Sequence, residues 1–353
     1  MSVIRDITDF LEQIAPLSYQ ESYDNAGLIV GDPRAEVTGI LVTLDSTEAV
    51  VDEAVAKGCN LIVAHHPIVF KGLKKFNGRN YVERTVMKAI KNDIAIYATH
   101  TAERLQLQNV RILTPKSDLL LKLVSFVPVA DTQKVLEALY EAGVGAVGNY
   151  DHCSFRVNGI GTFRPNEEAQ PHIGTVHKDE SVTEDRFEVI FPAHLESQVL
   201  SALKKVHPYE EVAYYLSVLK NQHQEVGAGA VGELSTPLAA DDFLAYLKEK
   251  MGLNVIRHTA LVNNTIQKVA VCGGSGGFLL NDAVRAQADV FVTADYKYHE
   301  FFDADGRILI CDIGHYESEV YTKELLHRYL SKKFVNFATI LSETNTNPIF
   351  YRS

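Results

Sequence analysis

Residues 39–67 read "GILVTLDSTEAVVDEAVAKGCNLIVAHHP", and three local signals follow one another in that stretch. "GILVTLD" (39–45) is an apolar run ending on an acid, the pattern of a buried strand. "TEAVVDEAVAKG" predicts a helix closed by Gly58. "NLIVAHH" predicts the next strand, and Pro67 stops it. A strand, a helix and a strand in about thirty residues form a βαβ unit, which calls for a parallel sheet with covering helices. The second strand ends on two adjacent imidazoles, His65 and His66. Neighbouring side chains of an extended strand point to opposite faces, so both rings can serve one site only where the backbone turns.

The same rhythm extends outward. "VIRDITDFLEQIAP" and "ERTVMKAIKND" space their apolar residues as helices do, and "IAIYATH" (94–100) reads as a strand. In the middle, "LVSFVPVADTQKVLEALYEAG" predicts strand then helix, and "SFRVNGIGTFRP" strand and turn. "DRFEVIFPAHLESQVLSALKKVHPYEEVAYYLSVL" predicts strand, helix, strand. Together these give β-α-β-β-α-β, the ferredoxin-like order. The last third returns to alternation through "FLAYLKEKMG", "KVAVCGG", "LLNDAVRAQ", "DVFVTAD", "ILICDIG", "VYTKELLHRYLSKKF" and a closing strand near "NFATILS". The fold class expected is α/β. Residues 1–122 and 233–353 form one mainly parallel-sheet body, interrupted at 123–232 by a ferredoxin-like α+β insert domain.

Composition bounds the function. The chain has 353 residues, 46% apolar and 22% charged, with a formal net charge of −11. The length favours two or three domains, and the acidity makes nucleic acid an unlikely partner, since non-specific binding needs a basic face. "MSVIRDITDFLEQIAPL" reads as an acidic amphipathic helix, not a signal peptide, and no apolar run is long enough to span a membrane. Cys59, Cys153, Cys272 and Cys311 are scattered, with no CxxC pair, so the expected setting is reducing and cytoplasmic.

Ligands of open α/β sheets bind beyond the carboxyl ends of the strands. Reading off that edge gives Asp45, His65 with His66, His100, Asp295 followed by Lys297, His299 and Glu300, and Asp312 with His315. In "DIGHYESE" (312–319), His315 and Glu319 stand four apart. A helix starting near His315 puts both on one face, a good metal chelate. Joined to His65 and His66, they offer three nitrogens and a carboxylate. That set suits zinc, manganese, iron or cobalt better than magnesium or calcium.

Plainer readings stand beside this one. A single histidine at a strand end is more often a hydrogen-bonded structural group, so His100 and His299 are read that way, with support of a metal ligand as the alternative. "CGGSGG" (272–277) lacks the lysine and the spacing of a phosphate loop and reads as a tight strand-to-helix turn. "HPYEEVAYY" (207–215) reads as the start of the last strand of the insert, with a substrate-facing role as the weaker alternative.

Six motifs, "YDNAGLIVGD" (23–32), "HHP" (65–67), "IYATHT" (96–101), "GGSGG" (273–277), "TADYKYHE" (293–300) and "DIGHYESE" (312–319), taken in order resemble the Nif-three-like dinuclear metal-binding family. Its bacterial members are often labelled GTP cyclohydrolase one type two homologues. The resemblance implies two divalent metal ions held by the histidines of "HHP", an aspartate after "HT", and the histidine and glutamate of "GHxxxE". His65, His66, His315 and Glu319 match four of these, with Glu319 the bridging carboxylate. It also implies a toroidal homohexamer and a PII/CutA-like insert. One departure is plain: Arg104 holds the aspartate's place, and about a dozen residues of the family pattern are missing there, in a region where a mobile binding loop is expected. A cation cannot replace the carboxylate. Either the stretch is deleted, leaving one ion a ligand short, or a mobile loop is absent from the sequence; the cost of deleting a helix start inside an α/β unit favours the loop.

Two functions follow. One is a metal-dependent hydrolase acting on a small phosphorylated or nucleotide-like substrate, with Asp295 or His299 assisting proton transfer. The other is a non-enzymatic metal-binding oligomeric scaffold or regulator whose insert senses a ligand.

Overall fold

The computed structural model describes residues 2–20, 25–98, 105, 107–262 and 264–352. His100, Arg104 and the start of the segment after Thr101 lie outside these. Two compact units make up the chain, Met1–Thr114 with Ala228–Ser353, and Pro115–Gly227.

The first unit opens with α1 (Ile4–Ile14), which buries Ile4, Ile7 and Leu11 at helical spacing. Asp6 accepts the backbone N–H of Val3 at 2.8 Å and closes its first turn. β1 (Gly27–Val30) and β2 (Gly39–Thr43) follow. α2 (Glu48–Ala56) starts at Thr47, whose hydroxyl accepts from Val50 N. β3 (Leu61–Ala64) is buried at every position. α3 (Tyr81–Lys91) starts at Asn80, which accepts from Glu83 N, while Glu83 accepts from Asn77 N and Arg79 N. β4 (Ala95–Ala98) is again wholly buried, and β5 (Gln108–Lys116) leads out of the unit.

The second unit runs β6 (Leu120–Pro128), α4 (Thr132–Glu141), β7 (Phe155–Phe163), β8 (Glu180–Pro192), α5 (Glu196–Val206) and β9 (Tyr214–Leu219). Its sheet has the order β7-β8-β6-β9, with every neighbour antiparallel. Alternate residues Leu121, Leu123 and Val127 of β6 and Phe187, Val189 and Phe191 of β8 pack on Val135, Leu139, Val199 and Leu203 of the two helices. The "HPYEE" stretch lies just before β9 and latches this sheet. His207 Nε2 donates to Phe126 O at 2.9 Å, His207 Nδ1 accepts Tyr209 N at 3.1 Å, and Tyr209 OH donates to Glu184 Oε1 at 2.6 Å.

The chain returns to the first unit along β10 (His223–Ala239), then α6 (Ala240–Met251), β11 (Arg257–His258), β12 (Thr265–Ser275), α7 (Leu280–Arg285), β13 (Val290–Ala294), β14 (Leu309–Asp312), α8 (His315–Glu319), α9 (Thr322–Lys333) and β15 (Ala338–Leu341). Two sheets result. One has the order β1-β4-β3-β2-β15, parallel from β4 to β15 and antiparallel at β1. The other has the order β11-β14-β13-β12-β10-β5, parallel at β12, β13 and β14, with β10 antiparallel to β12 and β11 antiparallel to β14.

The protein is therefore a mixed α/β molecule with three sheets, and its parallel strands are framed by antiparallel ones that the sequence reading did not include. These antiparallel strands signal weakly: β10 is rich in glycine, β11 has two residues, and β1 has four. In the first sheet β3 and β15 flank β2 on opposite sides, which makes the carboxyl end of β2 the switch point where α/β sheets open a crevice. Asp45 stands just past that end. Among the described residues no helix is long and apolar enough to cross a membrane.

Candidate metal centre

β3 runs buried to Ala64, and the chain then turns. The N–H groups of His65 and His66 both reach back to Leu44 O, at 3.1 and 3.0 Å, so the two residues no longer alternate as a strand would. Their rings come to lie side by side, centroids 4.7 Å apart. From the other sheet, β14 ends at Asp312. Gly314, at φ +89°, makes the turn that starts α8, and His315 and Glu319 face one way along that helix. Asp312 is spent on this turn: it is buried, accepts from Tyr296 N and Gly314 N, and pairs with Arg257.

The four predicted ligands meet. Glu319 Oε2 lies 2.9 Å from His66 Nε2, 3.0 Å from His315 Nε2 and 3.7 Å from His65 Nε2. The ligand atoms of His65, His66 and Glu319 fit within 4.8 Å of one another, a group able to hold a metal ion. His65 is 3% exposed and Glu319 8%, so the point of convergence is largely shut off from water on the β3 side. His315 and Asp295 are the more exposed members, at 38% and 45% of their side chains.

Carboxylates set the ring orientation. Asp45 Oδ1 lies 2.8 Å from His66 Nδ1, and Asp295 Oδ2 lies 2.6 Å from His315 Nδ1. A carboxylate only accepts, so each ring donates its Nδ1–H outward and turns Nε2 inward. Two nitrogen atoms 3.4 Å apart and one carboxylate oxygen then aim at the same point. Three acceptors facing one another repel unless protons or a cation lie between them. In the metal-free protein, protons take that place. Burial pulls His66 down, but hydrogen bonds to Asp45 and Glu319 outweigh it and hold it up at about 9. The Glu319 hydrogen bond raises His315 against burial, with Asp295 adding to it, also to about 9. Burial pushes Glu319 up, yet His315, His65 and His66 hold it far below the ordinary carboxylate range. The donor set fits a divalent ion of intermediate softness.

The glycine-rich turn supports this site. A Cβ on Gly274 would stand 2.6 Å from Glu319 Oε1 and 3.2 Å from His315 Cε1, and its φ is +58°. Gly273 would meet Glu319 Cγ at 3.1 Å. Gly274 N donates to Ser318 Oγ and Gly276 N to Thr293 Oγ1. "CGGSGG" is thus shaped by the close passage of α8. Burial and the nearby Glu319 push the Cys272 thiol up to about 11.

Asp295 sits against His315 in a left-handed backbone conformation, φ +58°. His299 is exposed, and its ring packs on Tyr298 at 5.2 Å. The partners of the ligands that the sequence did not single out are Thr346, whose hydroxyl donates to Asp45 Oδ2, and Ser318. Asp45 itself was visible as an acid at a strand end, but nothing in the sequence tied it to His66.

Comparison with known proteins gives one consistent answer. The family described as Duf34/NIF3 (NGG1p interacting factor 3) matches residues 2–348. A Bacillus subtilis (strain 168) protein named GTP cyclohydrolase 1 type 2 homolog is 37% identical over 367 aligned positions, covering 98% of each chain. A Staphylococcus aureus (strain MSSA476) protein of the same name is 35% identical and covers 99% of each. The 367 positions exceed the 353 residues present, so the Bacillus subtilis protein carries residues that have no counterpart here. The crystal structure of a Bacillus cereus protein related to NIF3 superposes with a TM-score of 0.86 at 35% identity, covering 99% of both chains.

Proposed function

We propose a function for a chain that belongs to the Duf34/NIF3 family: it binds a pair of divalent metal ions at His65, His66, His315 and Glu319, and it hydrolyses a small phosphorylated or nucleotide-like substrate. The observation that carries this is the convergence of three inward-facing acceptors, each ring turned by its own carboxylate. Bound there, divalent ions supply Lewis-acid polarisation of the scissile group and a water acidic enough to react near neutral pH.

The chain's own residues do the rest. Asp45 and Asp295 fix the rings of His66 and His315. Glu319 reaches all three imidazoles through one oxygen, which suits it to bridge two ions. Asp295, 45% exposed at its side chain and bonded to His315, is the first candidate to assist proton transfer. His299 is the second candidate for that role. The proposed body is 1–122 with 233–353, carrying the centre. The proposed insert, 123–232, is PII/CutA-like, and the assembly is a homohexamer.

The test is turnover. Protein loaded with zinc, manganese, iron or cobalt is assayed against phosphoesters and nucleotides, beside Glu319→Ala. Hydrolysis by the wild type that Glu319→Ala abolishes supports the reading. Failure on every substrate by fully loaded protein overturns the enzymatic part and leaves the non-enzymatic scaffold or regulator.

A further inference from the structure

β15 ends at Leu341, and residues 342–352 form neither helix nor strand. Their hydrogen bonds are nonetheless closely assigned. Glu53 of α2 accepts from Ser342 Oγ at 2.7 Å, Glu343 N at 2.8 Å, Thr344 Oγ1 at 2.6 Å and Thr344 N at 3.2 Å. Two residues beyond this anchor, Thr346 Oγ1 donates to Asp45 Oδ2 at 2.5 Å. Asn347 Nδ2 then donates to Glu317 Oε1 at 3.1 Å. The segment thus leaves the first sheet, touches the carboxylate that turns His66, and reaches the helix that carries His315 and Glu319.

We propose that residues 342–347 are a strap that positions the metal centre, with Thr346 a positioning residue that acts on His66 through Asp45. This rests on reading the cluster as a metal centre. Asp45 is one-third exposed at its side chain and lies past the end of β2, and its carboxylate is held between Thr346 and His66. With Oδ2 held by Thr346, Oδ1 is left for His66 Nδ1. That bond decides which ring nitrogen keeps the proton and so which one faces Glu319. Ser342 N still donates to Val42 O at 2.8 Å; past it the segment needs another source of order than the sheet, and Glu53 supplies it with four acceptor contacts.

The experiment uses the full chain as wild type, Thr346→Val, Thr346→Ser and Glu53→Gln. Zinc affinity is measured by competition with a chromophoric chelator. The His66 Nδ1–H signal is followed by NMR of the metal-free protein. Thr346→Val keeps the shape and removes the donor. It is expected to weaken zinc binding on the order of tenfold, the low end for loss of a group behind a ligand, and to shift or broaden the His66 signal. Thr346→Ser is expected to restore both. Glu53→Gln is expected to shift affinity in the same direction as Thr346→Val, and it stands in for that variant if it does not fold. Wild-type affinity with an unmoved His66 signal in both Thr346→Val and Glu53→Gln overturns the strap. A wild type that binds no zinc sinks the metal centre instead, and the His66 signal of the metal-free protein then still decides whether the strap orients the ring.

Discussion

The two units each bury a histidine beside a glutamate and put them to opposite use. In the second unit His207 and Glu184 are each 7% exposed. Every contact there pairs a donor with an acceptor: His207 with Phe126 O and Tyr209 N, Glu184 with the Tyr209 hydroxyl. Burial pulls His207 below its ordinary value and leaves it neutral. In the first unit His66, His315 and Glu319 turn acceptors toward one another, and both histidines are raised to about 9. A closed donor–acceptor set stabilises a fold. A set of converging acceptors calls for a cation. Burial is shared, so the direction of the hydrogen bonds separates structure from function here.

The sharpest way to break this contrast is to truncate one histidine from each set. His66→Ala is expected to abolish stoichiometric metal binding, while His207→Ala keeps it and instead loses about 2 kcal/mol of stability from a deleted buried hydrogen-bond network. Metal content by mass spectrometry and chemical denaturation read the two effects. Metal loss in His207→Ala, or retention in His66→Ala, breaks the comparison.

pH separates the sets next. A metal ion entering the first must displace protons from rings that titrate at about 9, so its apparent affinity should rise with pH up to that value. The slope should be about tenfold per pH unit for each proton displaced. Calorimetry in buffers of different ionisation enthalpy reports the protons released. His207 is shifted the opposite way. Its folded value is depressed, so its contribution to stability is complete above the unfolded value and is lost as pH falls through the folded one. A smaller effect comes from Gly274→Ala, which puts a methyl 2.6 Å from Glu319 Oε1 at a left-handed position. A cost of about 1–2 kcal/mol and weaker metal binding are expected, read by melting and by chelator competition.

The residues that converge, His65, His66, His315 and Glu319, were legible in the sequence because local rules govern each pair. "HHP" turns at a proline, and the spacing in "GHYESE" sets helical facing. Apolar runs marked the strand ends that carry both. The antiparallel strands β10 and β11 were not legible, since they lack the apolar run that marks a strand buried on both faces. Nor were the orienting contacts. Asp45 and Thr346 lie about 300 residues apart in the chain and meet only because β15 returns beside β2. Residues 99–104 lie outside the described residues, and with them Arg104, which stands at the place of the fifth ligand in the family pattern.

One measurement tests the central claim most directly. Crystals of the protein grown with zinc or manganese are measured at the absorption edge of the metal, and the anomalous difference density locates each ion. The account predicts density between His65 Nε2, His66 Nε2, His315 Nε2 and Glu319 Oε2. Anomalous density elsewhere in a metal-loaded crystal, with none at Glu319, would contradict it.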